Sequence, residues 1–414
     1  MALADLTDWF DEYDRPGFAW YVKRLAANDT LATNAHQAGP YIPKSFLFTV
    51  FPALNTADVK NPDVRFDLYI DSHADHRNVR AVYYNTKPRG EGTRDEARLT
   101  NFGGRQSALL DPDSTGALTV FAFGFEAQGD TTQCHVWVCR HETEEDLIEE
   151  RIGPVEPGQY LVWTPAVGRV VEYAQPPRTS CHLATDEIPA AWLARFPTGE
   201  EIIRKAVELR SGTGMNPDER LVRRRACEYE VFQSVEQAVY LPRIQAGFTS
   251  VEGFVGLAQT ILQSRKSRSG NSLELHAREI FVEEGLRSME EFQHKPVIEN
   301  GKRPDFLFPS QAAYEDGAFP AARLRMLAAK TTCKDRWRQV INEADRIRTK
   351  HLLTLQEGVS EGQFREMQEA GVQLVVPTGL HDAFPDAVRP HLMSLESFIA
   401  DIRLTALGTD CEGI

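Results

Sequence analysis

Cysteine is scarce in this chain, with six in 414 residues. That is too few for a disulfide framework, and no two form a C-x-x-C pair, which argues against a structural zinc site. No stretch approaches the ~18 apolar residues of a membrane-crossing helix. The opening residues, MALADLTDWFDEYDRPG, are acidic and lack the apolar segment of a secretory leader, so a reducing cytoplasm is the expected location. Internal repeats and low-complexity tracts are absent too. With 42% hydrophobic and 26% charged residues, collagen-like, disordered and disulfide-scaffold classes are excluded. Positive charge is in deficit: 46 Lys and Arg stand against 60 Asp and Glu, a net −14. Nucleic-acid-binding proteins ordinarily carry a basic footprint, so the sum points away from such a partner. A sum hides its distribution, however.

The length allows two or three domains. Residues 1–173 read as mainly β. Short apolar or alternating runs recur at Ser45–Phe51, Val64–Ile70, Val79–Tyr84, Leu118–Phe125, His135–Cys139, Gln159–Trp163 and Gly168–Tyr173, separated by turn signals such as KPRGEG and DPDSTG. Such punctuation predicts a barrel or sandwich. Thr143–Ile152 reads as an acidic helix. A proline-bearing segment at 174–186 reads as a linker. From about 187 to 404, helical spacing alternates with strand-like runs at 305–308, 325–332, 351–355 and 372–377, which indicates an α/β domain. On the helix NSLELHAREIFVEEGL, Leu273, Ala277, Ile280 and Phe281 share one face. KDRWRQVINEADRIR (334–348) is expected to be a helix as well, and 405–414 a tail.

Charge is distributed unevenly. Residues 321–350 hold nine Lys and Arg against three acids, and residues 140–156 hold seven acids against two arginines. Arg220, Arg223, Arg224 and Arg225 crowd one segment, and Ser264–Arg268 reads SRKSR. Taken alone, such stripes are solvated helix faces. If the basic segments meet nucleic acid, the acids of 140–156 are expected to lie away from them and to limit non-specific binding.

The most informative spacing lies in the second half. Asp305 follows Pro304 at the start of a strand-like run. Lys330 comes 25 residues later in the next such run, and Glu343 13 residues after that. Phosphodiester hydrolysis needs a divalent metal held by a few carboxylates on rigid elements, and a lysine that orients water and offsets charge. An acid, a lysine on the neighbouring strand and a further acid have that logic, which is that of a PD-(D/E)xK nuclease. Ala328 occupies the usual place of the second acid. Glu343, at the edge of the face formed by Trp337, Val340, Ile341, Ala344 and Ile347, can replace it. Unaided, the same residues read as a strand-start turn and a surface lysine.

KTTCKDRWRQ (330–339), together with RPDFLFPS and SLELH, resembles the catalytic domain of the EcoRII-type restriction endonucleases, and TLQEGVSEGQFREM extends the likeness. ANDTLATNAHQAGPYIP (27–43), GTRDEARLTNFGG (92–104) and LLDPDSTG (109–116) resemble the effector domain of the same family. The resemblance implies a B3-like DNA-binding pseudobarrel followed by an α/β restriction-endonuclease-like domain. It implies Asp305 and Glu343 as Mg²⁺ ligands, Lys330 as the catalytic lysine and Glu274 as a further active-site acid. Tyr314 matches a family tyrosine near the site and receives no chemical role.

The same resemblance bears on recognition. Lys334, Asp335 and Arg336 open the expected helix. Arg and Lys pair with guanine and Asp accepts from cytosine, so the set suits C·G pairs. Arg225 and Tyr229, four apart on a helix, share a face on which a guanidinium and a ring could sandwich an extruded base. In the first domain, His36, Tyr41, Lys87, Arg89, Arg94, Glu96 and Arg98 are the expected effector-DNA contacts, carried on loops and strand ends. The implied protein is a Mg²⁺-dependent homodimer that cuts double-stranded DNA at a CCWGG-like site. It is inhibited by its own first domain until that domain binds a second site, and its companion is a cytosine methyltransferase. Two other classes stand as alternatives. A non-cleaving DNA-binding protein is disfavoured by the intact Asp305, Lys330 and Glu343, and a structure-selective nuclease by the Lys334–Arg336 segment and the added first domain.

Overall fold

Two sheets organise the computed structural model, which describes residues 3–33, 39–125, 129–163, 172–173 and 181–408. The first half comprises helix α1 (Leu3–Tyr13), β1 (Phe18–Arg24), α2 (Lys44–Val50), β2 (Asp63–Ile70), β3 (Asp75–Tyr84), β4 (Glu96–Thr100), β5 (Leu118–Gly124), β6 (Gln133–Val138), α3 (Glu142–Ile152), β7 (Tyr160–Trp163) and β8 (Glu172–Tyr173). Its eight strands form one sheet in the order β4-β3-β2-β6-β5-β1-β7-β8, antiparallel except where β2 pairs with β6. β1 and β5 lie mid-sheet and are buried on both faces, which is why their sequences lack alternation. One face packs Phe46, Phe51, Phe66 and Phe123. The other packs α1 and α3 through Trp9, Phe10, Trp20, Trp137 and Ile148.

The second half comprises α4 (Ala190–Ala194), α5 (Gly199–Leu209), α6 (Pro217–Gln245), α7 (Val251–Glu283), β9 (Gln293–His294), β10 (Phe306–Phe308), α8 (Gln311–Glu315), β11 (Arg325–Ala329), α9 (Trp337–Val340), β12 (Lys350–Leu353), α10 (Glu361–Glu369), β13 (Val372–Val375) and α11 (Leu395–Asp401). The sheet order is β13-β12-β11-β10-β9, parallel from β11 to β13 and antiparallel from β9 to β11. The α7 stripe of Leu273, Ala277, Ile280 and Phe281 covers one face against Phe306 and Phe308. Trp337, Val340, Phe364 and Met367 cover the other. Cys181 and Cys227 are joined by a disulfide that ties the chain entering this domain to α6. Cys134, Cys139 and Cys333 are buried thiols.

Two elements differ from expectation. Ser45–Phe51 is not a strand: residues 44–50 are helix α2, which buries Phe46, Leu47 and Val50, a helical rather than an alternating set. The run 334–348 is not one helix either. Only Trp337–Val340 is helical, and Ala344 turns the chain at φ +49°. Of its expected inward face, Trp337, Val340, Ala344 and Ile347 are buried and Ile341 is partly buried against them, but a sequence of turns presents them.

Candidate active site and nucleic-acid interface

The antiparallel pairing of β10 with β11 sets Phe306 opposite Leu327. Asp305, just before β10, and Lys330, just after β11, therefore reach the same end of the sheet. Asp305 Oδ2 accepts a hydrogen bond from the Ala329 amide at 2.8 Å, and the Lys330 amide donates to the Leu353 carbonyl at 2.9 Å. Both side chains thus spring from backbone that the ladder fixes. Glu274 arrives from α7 and is 5% exposed. Glu343 arrives from the turn after α9, where its amide donates to the Val340 carbonyl.

The electrostatics are those of crowded carboxylates. Burial pushes the Asp305 carboxyl above its ordinary range, against the pull of Lys330 and with the push of Glu274. Glu343 is pushed up to about 7 by burial and by the Asp305 charge, and its buried Oε2 has no hydrogen-bond partner. Burial acts on Glu274 as well, but the adjacent His294 and Lys295 outweigh it and hold that carboxyl low. Three neighbouring acids, one of which has a buried oxygen without a hydrogen-bond partner, have the chemistry to take a divalent cation with oxygen ligands. Among the described residues no group of three His, Cys, Asp or Glu already stands as a ligand shell. Tyr314 is engaged elsewhere: its hydroxyl donates to Glu299 at 2.6 Å and accepts from the Arg346 amide.

The expected base-reading residues face the first domain. Lys334–Arg336 form a turn rather than the first turn of a long helix. The buried Lys334 ammonium donates to the carbonyls of Cys139 and Arg140 at 2.8 and 3.2 Å. Arg336 pairs with Glu142 at 3.0 Å and lies 3.6 Å from Asp146, while Asp335 holds Arg338. Arg225 donates to Glu156 at 2.7 Å, and Arg268 donates to the same carboxylate at 3.0 Å. The Arg268 guanidinium lies 4.6 Å above the Tyr229 ring. The cavity beside Tyr229 has a volume of about 20 Å³, room for a water and not for a base. Lys330 and Arg336 line a cavity of about 320 Å³ together with Glu142, Asp146, Glu149 and Glu156. A duplex cannot enter it.

This overturns the expectation that the acids of 140–156 lie away from the basic segments: they sit on them. The reason is upstream. The buried Arg24 on β1 donates to Glu145 and Glu149, and its Nε donates to the Val155 carbonyl. This fixes α3 with Glu142 and Asp146 turned outward towards Arg336. Asp113, which accepts from the Ser360 hydroxyl at 2.7 Å, adds a second seam between the domains. Sequence reasoning missed Glu156 and Arg268 as site residues. The signal was the SRKSR stretch, whose charge needed a partner once its helix was seen to pack against α6.

On the first domain, Tyr41, Glu96 and Arg98 line a cleft of about 750 Å³. Glu96 is held between Arg94 and Arg98 at 3.0 and 2.8 Å, and Arg94 stacks 4.1 Å over Tyr84. Lys87 and Arg89 lie in the hairpin loop before β4, where Arg89 pairs with Glu91 at 3.2 Å. His36 lies outside the described residues.

Comparison with known proteins covers both halves. The model of the restriction endonuclease EcoRII N-terminal region matches residues 14–166, and that of the EcoRII C-terminal region matches residues 232–399. A type II restriction enzyme EcoRII from Escherichia coli is 44% identical over 99% of this chain and 100% of its own length. Among solved structures, metal-depleted Ecl18kI in complex with uncleaved, modified DNA aligns with 56% of this chain and 88% of its own, at 19% identity and TM-score 0.44. The B3 domain of the UbaLAI restriction endonuclease with cognate DNA aligns with 38% of this chain and 98% of its own, at 20% identity and TM-score 0.27.

Proposed function

The chain belongs to the EcoRII-type restriction endonucleases, and from that membership we propose a Mg²⁺-dependent type IIE enzyme that hydrolyses double-stranded DNA at a CCWGG-like site. Residues 187–404 form the catalytic domain and residues 1–173 the effector domain, with 174–186 as linker and 405–414 as tail. The observation that carries the reading is the meeting of Asp305, Lys330, Glu343 and Glu274 at one sheet end in a chain with this full-length relative. Asp305 and Glu343 would hold the metal, and Glu274 is a further acid of the site. Mg²⁺, when bound, supplies Lewis-acid polarisation of the scissile phosphate and a more acidic water. Lys330 hydrogen-bonds the attacking water and offsets charge growing on the phosphate, which leaves a 5′-phosphate and a 3′-hydroxyl. Lys334, Asp335 and Arg336 read C·G pairs, and Arg225 and Tyr229 receive an extruded base.

The closed arrangement supports autoinhibition. Glu156 stands as an anion between two arginines, and Glu142 occupies Arg336, where a DNA phosphate or base edge would otherwise bind. Effector DNA on Tyr41, Lys87, Arg89, Arg94, Glu96, Arg98 and the His36 segment would favour release. Plasmids with zero, one or two CCWGG sites test this with Mg²⁺ present. Two-site plasmids should be cut far faster than one-site plasmids at low protein concentration. No cutting of any would sink the activity, and equal cutting would sink the effector role. The enzyme is read as bacterial and cytoplasmic, with a cytosine methyltransferase as companion.

A homodimer matches two active sites to a near-palindrome. The α6–α7 hairpin offers the surface. Leu241, Ile244, Phe248, Val251, Phe254 and Val255 are exposed there, Val251 by 73%, and Arg243 and Glu252 are the charged residues of 241–262. A near-neutral apolar tip suits a two-fold contact with a second copy. Phe254→Lys should halve the sedimenting mass at micromolar protein. An unchanged mass for this variant would remove the hairpin from the interface.

A further inference from the structure

Lys295 is a lysine that the chemistry above does not use. It follows β9 with φ +50°, a left-handed conformation uncommon for a residue with a side chain and characteristic of constrained functional positions. Its amide donates to the carbonyl of Asp305 at 2.9 Å, so its backbone is locked to that of a proposed metal ligand. Its ammonium returns across β9 to α7 and meets Glu274 Oε1 at 2.5 Å. His294, stacked on Phe306, lies 3.8 Å from the same oxygen.

The two lysines divide the cluster. The charge of Lys330 acts on Asp305 and Glu343, whereas that of Lys295 acts on Glu274. Without Lys295, Glu274 would lose its paired ammonium, and the three acids would be left with the charges of Lys330 and Lys350. The two partners also differ in freedom. The Glu274 side chain is 7% exposed and cannot leave, but that of Lys295 is 44% exposed. A cleft of about 640 Å³, lined by Thr198, Ser267, Asn271 and Glu200, opens beside Lys295. The ammonium therefore has polar space into which to withdraw.

We infer that Lys295 is a positioning residue whose ammonium holds Glu274 in the cluster before the metal arrives and neutralises a carboxylate charge that would otherwise add to the pull on the ion. The inference rests on the metal site proposed above. It makes a prediction of unusual sign: removing a residue that touches the site should tighten ion binding. A merely structural role would leave affinity unchanged or weaken it.

The test is Mn²⁺ uptake by the full-length protein without DNA, followed through the paramagnetic resonance of free Mn²⁺. Lys295→Gln should lower the dissociation constant by about three- to tenfold, the scale of a half-exposed charge pair. Lys295→Arg, which keeps the cation, should behave as the parent. In a Glu274→Gln background the Lys295→Gln effect should vanish. Unchanged or weaker uptake by Lys295→Gln overturns the inference, as does tightening by Lys295→Arg as large as that by Lys295→Gln. Asp305→Asn separates this from failure of the underlying site. If that variant takes up Mn²⁺ as the parent does, the ion does not bind here and the metal-site reading falls. If it loses the ion while Lys295→Gln shows no tightening, the role of Lys295 alone falls.

Discussion

Glu156→Gln should cut a one-site plasmid on the order of 100-fold faster than the parent, because it removes the anion that holds two arginines closed. The Glu156 carboxylate accepts from both Arg225 and Arg268 across the domain boundary. Burial raises its pKa, but Arg225 and Arg268 more than offset this and hold it at about 2. A depression of that size corresponds to about 3 kcal/mol, and removing one partner of a buried pair costs a similar ~3–5 kcal/mol. At 1.4 kcal/mol per tenfold, about 3 kcal/mol moves the closed–open balance by roughly two orders of magnitude. Two-site cleavage should change far less, because in the proposed mechanism effector DNA already opens the parent. The sign of the pH dependence follows from the depressed value. The pair is fully formed above the ordinary carboxylate range and is lost only as pH falls towards about 2, so the ratio of two-site to one-site rates should stay flat from pH 6 to 8. A Glu156→Gln protein with the parent's ratio would show that the seam at Asp113 and Ser360, or Glu142 on Arg336, carries the inhibition instead.

The acidic stretch 140–156 shows where sequence reasoning stops. Its helix was legible from composition alone, and α3 runs from Glu142 to Ile152. Its destination was not, because placement depends on Arg24, 121 residues before Glu145, and on a docking geometry that no local pattern encodes. The active site was more legible. Asp305 and Lys330 could be singled out by their spacing on neighbouring strand-like runs, and Glu343 with them by the family resemblance; the structure brings the first two to one sheet end because a residue before one strand and a residue after its antiparallel neighbour share that end. The element carrying Glu343 was misread because Trp337, Val340, Ala344 and Ile347 are spaced as on a helix face, and turns with one left-handed residue can bury the same set. Lys295 stayed invisible because its proposed role rests on a positive φ and an ion pair with Glu274 of α7, neither of which leaves a trace in residue type. The −14 net charge, which first argued against DNA, is in part made of acids that pair with the basic segments of the second domain.

Asp305→Asn should lower cleavage of a two-site plasmid by about 10³-fold or more while leaving specific binding intact. The asparagine substitution is the discriminating one. Asp305 Oδ2 accepts from the Ala329 amide, and an amide oxygen can keep that bond where alanine would strand a buried donor. What asparagine removes is the charge that would hold the metal, and the metal's polarisation of the phosphate is worth several kcal/mol. Binding should survive, since the proposed base-reading residues lie on the turn at 334–336 and on α6. Stability gives a second readout of opposite sign. Asp305 is buried beside Glu274 and near Glu343, so its charge opposes folding when no cation is present. Neutralising it should raise the metal-free melting temperature by a few degrees, about 1 kcal/mol for a catalytic carboxylate held against its neighbours. Loss of cutting with a raised melting point marks a functional acid placed at a cost to the fold. Loss of cutting with a lowered one would mark Asp305 as a structural acid whose removal unseats Lys330. Cutting within tenfold of the parent would exclude it from the metal site.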